Sequence, residues 1–74
     1  MDETRFKKAL EEFTTKSADE MTMSDDLVEI GMDSIGVFEF VMKVEDEIGQ
    51  RGVEIDESIA SVQDLYDRVL DVVD

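Results

Sequence analysis

Gly31-Met32-Asp33-Ser34-Ile35 is the one stretch of this chain whose residue types and spacing suggest chemistry. A Gly-x-Asp-Ser-aliphatic run that opens a helix sets a single hydroxyl, Ser34, at the helix N-terminus. Backbone amides there favour an anionic group. Serine is also a common helix cap, and by position alone Ser34 need be nothing more. The rest of the chain supplies no catalytic device. With no histidine and no cysteine there is no Ser-His-Asp or Cys-His arrangement. The many carboxylates have no calcium-loop spacing, and Gly31, Gly49 and Gly52 make no phosphate cradle. The chain is therefore read as a non-enzyme, with Ser34 as a place where something is attached.

Seventy-four residues allow one domain, taken as residues 1–74. No cysteine cross-link or zinc site can staple it, and the lack of cysteine fits a reducing compartment. The 21 acidic and 7 basic side chains give a net charge of −14. Nucleic-acid phosphates and anionic lipid are disfavoured as partners, and surfaces with basic patches are favoured. No apolar run approaches the ~20 residues that cross a bilayer. The charged start Met1-Asp2-Glu3-Thr4-Arg5 lacks the apolar stretch of a secretory signal. A cytoplasmic location, no membrane insertion and a monomer are expected.

Four helical segments are expected to position Ser34. Phe6, Ala9, Leu10 and Phe13 form an apolar stripe in a helix over Thr4–Lys16, with Thr4 as cap. A long polar loop from Ser17 to Asp33 follows, pinned by Leu27 and Ile30. The second helix is predicted from Ser34, capped by Asp33, to Gly49. Gly49-Gln50-Arg51-Gly52 reads as a flexible turn, and Val53 and Ile55 as loop residues inserted into the core. Asp56–Ala60 is expected to form one short helical turn. Ser61 and Asp64 resemble a capping box, and Val62, Leu65, Tyr66, Val69, Leu70 and Val73 repeat at helical spacing. The fold expected is an all-α four-helix bundle, three main helices and one short one. Its predicted core is Phe6, Leu10, Phe13, Leu27, Ile30, Val41, Val44, Ile48, Ile55, Val62, Leu65 and Val69.

The second helix carries more apolar surface than packing needs. Val37, Phe40, Val41, Val44 and Ile48 share one face. Ile35, Phe38 and Met42 fall roughly opposite, among Glu39, Glu45 and Asp46, with Phe38 between the two faces. An apolar group ringed by carboxylates suits a docking face for a basic partner. The competing expectation is that the Ser17–Asp33 loop folds over it.

Leu27-x-x-Ile30-Gly31-x-Asp33-Ser34-Ile35 resembles the prosthetic-group site of acyl carrier proteins. The likeness extends through Glu39-Phe40-Val41-Met42 and Glu45-Asp46-Glu47, the helix order and the acidity. The resemblance implies phosphopantetheine, joined to Ser34 through a phosphodiester by a phosphopantetheinyl transferase that uses coenzyme A and magnesium. It implies a terminal thiol that holds acyl groups as thioesters and presents them to loading and processing enzymes. By residue matching it implies Asp33 as the flanking motif residue, Glu39, Glu45 and Asp46 as acidic recognition positions, and Ile35 and Met42 as apolar contacts. No metal site belongs to the chain itself. Gly36, the enlarged Gly49–Gly52 turn, the missing proline and the bulky Phe38 and Phe40 depart from the pattern and point away from housekeeping fatty-acid synthesis towards a specialised, discrete carrier. The resemblance implies partner enzymes of fatty-acid or polyketide-type (secondary-metabolite) synthesis. Asp33 before the serine favours acyl cargo, because similar aminoacyl or peptidyl carriers more often have histidine there. Such a peptidyl carrier is the first alternative. An acidic interaction module with no prosthetic group is the second.

Overall fold

The computed structural model describes residues 2–49 and 52–73. Among them are three α-helices: α1 (Glu3–Leu10), α2 (Ser34–Ile48) and α3 (Val62–Val73). The all-α expectation is met. Gln50 and Arg51 of the expected turn, and the side chain of Val73, lie outside the described residues.

α1 starts one residue before the expected position because Asp2, not Thr4, caps it. The Arg5 amide donates to the Asp2 carboxylate at 2.8 Å. α1 also stops earlier than expected. Glu11–Phe13 tightens into a 3-10 turn, and Thr14 is extended. The Thr15 amide then donates to the Ile30 carbonyl at 2.8 Å. A bond across the chain thus replaces the last turn expected as far as Lys16. Lys43 of α2 pairs with Glu12 and lies 5.8 Å from the centre of the Phe13 ring, which fastens the 3-10 turn to α2.

The short helix expected at 56–60 is a turn. The Ser58 amide and hydroxyl donate to the Asp56 carboxylate, and the Ile59 amide donates to the Asp56 carbonyl at 3.2 Å. An Asp side chain that satisfies amides locally competes with helix formation. The capping box at α3 forms as expected. The Asp64 amide donates to Ser61 Oγ at 3.2 Å, and the Asp64 carboxylate accepts from the Ser61 and Ala60 amides.

Phe6, Leu10, Leu27, Ile30, Val41, Val44, Val62, Leu65 and Val69 are buried as expected, and Phe13 and Ile48 pack against them half-buried. Ile55 is the correction. It is 37% exposed: Glu45 holds the Val53 amide and Val53 is seated in the core, whereas the chain that follows is irregular and does not keep Ile55 on the same face. Met21, Met32, Val37, Phe40 and Val53 complete the core. Phe40 meets Phe6 and Phe13 edge to face, at 5.4 and 5.7 Å between ring centres, and Phe6 meets Tyr66 at 5.0 Å. These rings bind the three helices and the 3-10 turn into one apolar unit.

The long loop is held at its far end by a short antiparallel bridge between Asp26 and Ser61. Leu27 donates to Ala60 and Val62 to Asp25, both at 2.9 Å, and Gln63 donates to Met23 at 2.8 Å. Gly31, at φ +90°, turns the chain back towards α2. Leu27 and Ile30 pin the loop, as the sequence predicts, and fix the approach to Ser34.

Candidate functional site

Asp33 is extended, and its carboxylate accepts from the Gly36 amide at 2.7 Å while its carbonyl accepts from Val37 at 3.0 Å. That is the N-cap geometry predicted from the Asp-Ser pair. Ser34 is therefore the first residue of α2. Its side chain is exposed, and its hydroxyl makes no hydrogen bond with any described residue. The Ser34 and Ile35 amides have no helical carbonyl before them. A free hydroxyl thus stands beside unengaged donors at the positive end of a helix of 15 residues. The arrangement fits a phosphate ester on Ser34. An exposed anion there is favoured by ~0.3–1 kcal/mol.

Gly36 lies in the first turn of α2. A Cβ added to it would lie 3.3 Å from the Asp33 carboxylate and 3.9 Å from Met32. Glycine here lets the cap sit close, which offsets part of its cost of ~1 kcal/mol inside a helix.

A groove of about 500 Å³ opens beside Ser34. Leu27, Met32 and Val37 line it from the loop and α2, and Ile55, Ile59 and Ala60 from the stretch before α3. Asp26, Asp56 and Glu57 also border it. The sequence did not signal this groove, because its walls come from irregular chain without periodicity. Val28 on the loop is 81% exposed near the same opening, and it too carried no signal.

The outward side of α2 is uncovered. Ile35 is 67%, Phe38 58% and Met42 57% exposed. The Ser17–Asp33 loop does not fold over them. Phe38, placed between two faces by the sequence, turns outward and shares a shallow depression with Ser34, Ile35 and Glu39. Glu39 and Asp46 are exposed as well. Glu45 differs: its carboxylate accepts from the Gly52 and Val53 amides at 2.8 and 3.2 Å. It closes the turn after α2, so a residue matched as a recognition position also has a local structural task.

Among the described residues no group of histidine, cysteine, aspartate or glutamate side chains could hold a metal ion. No helix of the described residues is long and apolar enough to cross a membrane.

A family model described as phosphopantetheine attachment site matches residues 4–69. Neither a curated protein nor a solved structure matches the chain.

Proposed function

Because the chain belongs to the phosphopantetheine attachment site family, we propose that it is an acyl carrier protein with Ser34 as the point of attachment. The family's prosthetic group is covalently bound phosphopantetheine, and its carrier domains work with a phosphopantetheinyl transferase and with partner enzymes. Bound to the protein, the group supplies a thiol on a long flexible arm, a reactive atom the polypeptide lacks.

The observation that carries the assignment is the Ser34 hydroxyl itself, exposed, without a partner among the described residues and at the first position of α2. No base within the chain is needed to activate it, because a transferase can supply one. Asp33 holds the first turn in place, and the open amides of that turn favour the phosphate.

Acyl rather than aminoacyl cargo, in fatty-acid or polyketide-type synthesis, is supported by the Asp33-Ser34 pair and by the apolar walls of the adjoining groove. Ile35, Phe38 and Met42, with Glu39 and Asp46 around them, support docking of enzymes that present a basic rim to an apolar patch. Glu45 belongs to the same side of α2 and adds to its negative field.

Incubation with coenzyme A, magnesium and a broad-specificity phosphopantetheinyl transferase, followed by intact-mass measurement, tests the reading. The native protein should gain one phosphopantetheine and Ser34→Ala none. A native protein that gains nothing, or a Ser34→Ala variant that still gains the group, overturns it.

A further inference from the structure

The groove wall opposite α2 is the stretch 54–60, which forms neither helix nor strand. Its two ends are tied independently. The Gly52 and Val53 amides are held by Glu45, and the Ala60 carbonyl accepts from Leu27 at 2.9 Å. Between these ties the Arg68 side chain of α3 reaches across. Arg68 Nη1 donates to Asp56 Oδ2 at 3.1 Å, and Nη2 to Asp56 Oδ1 at 3.3 Å. Nη2 also donates to Ser58 Oγ at 2.9 Å, and Nη1 to the Glu54 carbonyl at 3.4 Å. One planar guanidinium thus gathers Glu54, Asp56 and Ser58, a fork that lysine cannot reproduce. Asp56 itself lines the groove, as do Ile55, Glu57 and Ile59, interleaved with the gathered residues.

An exposed ion pair contributes little to folding. Asp56 is about half exposed, so the value of the contact lies in where it holds the wall. We propose that Arg68 is a positioning residue for cargo: by drawing 54–58 onto α3 it sets the width of the groove beside Ser34, and so the longest acyl chain that the groove takes in. The inference rests on the carrier reading above and adds to it a residue that governs selectivity.

The test uses wild type, Arg68→Gln, Arg68→Lys and Asp56→Asn, each loaded with phosphopantetheine bearing butyryl, octanoyl or hexadecanoyl chains. The readout is the backbone amide shift of Leu27, Val37, Ile55 and Ile59 relative to the protein with the arm alone. In wild type these shifts should grow with chain length up to a limit. Arg68→Gln and Asp56→Asn should move that limit to a longer chain, with Arg68→Lys between. Melting curves of the unacylated proteins separate this from a merely structural role, which would lower the midpoint and leave the limit in place. An unchanged limit in the variants, or no dependence on chain length in wild type, overturns the proposal. Failure of wild type to load at Ser34 overturns the carrier reading and this inference together, so the two failures are told apart.

Discussion

The amide of Leu27 donates to the carbonyl of Ala60 at 2.9 Å, and beside it the Val62 amide donates to the Asp25 carbonyl at the same distance. These bonds join the loop that leads to Ser34 with the stretch that leads to α3. Ser34 and the far wall of the groove are referred to one small bridge, although they are distant in sequence. Movement of either loop is therefore felt by the other.

Asp33→Ala removes the acceptor of the Gly36 amide and leaves the first turn of α2 uncapped. A loss of ~0.5–2 kcal/mol in unfolding free energy is expected. Urea titration followed by circular dichroism measures it. Modification of Ser34 should slow in the same variant, since the turn that presents the hydroxyl frays. An unchanged midpoint would show that the cap is not needed.

Gly31→Ala meets two obstacles. The φ of +90° disfavours any side chain, and the new Cβ would lie 2.9 Å from the Thr15 Cγ2 atom. About 1–3 kcal/mol of destabilisation is expected. Adding Thr15→Ser removes the methyl group and should recover part of the loss, leaving the backbone strain. If the double variant is no more stable than the single one, the steric share of this account is wrong.

Glu39→Lys and Glu45→Lys should behave differently, although both reverse a charge on α2. Glu39 is exposed, and its reversal should slow loading by the transferase while the melting temperature stays close to wild type. Glu45 holds the Gly52 and Val53 amides. Its reversal should also cost ~1 kcal/mol of stability, or about 4–8 °C in a domain of this size. Equal melting temperatures for the two variants would remove the structural task assigned to Glu45.

Asp64 gives a pH signature. The Ala60 amide first, then the Ser61 amide, hold its carboxyl below the ordinary value of 3.8. A carboxyl depressed in the folded state stabilises above its unfolded value, and the benefit is lost as pH falls through the folded one. The stability difference between wild type and Asp64→Ala should thus be constant near neutrality and shrink below about pH 4. Comparison of the two proteins cancels the relief of self-repulsion that acid brings to a chain of net charge −14. A difference that persists unchanged at pH 2–3 contradicts the assignment.

The start of α2 and the whole of α3 were legible because their signals are local. Asp33 accepts only from Gly36 and Val37, within the first turn it caps, and Ser61 and Asp64 satisfy each other within one turn. The end of α1 was not legible. It depends on a bond between Thr15 and Ile30, which no nearby residue announces. Ile55 was misplaced for the same kind of reason, since the local pattern says nothing of a guanidinium on α3 that draws its neighbours Glu54 and Asp56 onto that helix. Met21 and Met32 sit in irregular chain, so no period marks them as core. At the site, the hydroxyl and its cap were foreseeable. The groove beside them, built from two loops by long-range bonds, was not.

Tyr66 is the sole tyrosine of a chain that has no tryptophan, and its ring leans on Phe6, which leans on Phe40. The one tyrosine ring is thus wired to the junction of all the helices. Its emission and near-ultraviolet dichroism offer a label-free gauge of whether the assembled interior is intact, with no dye or engineered probe needed.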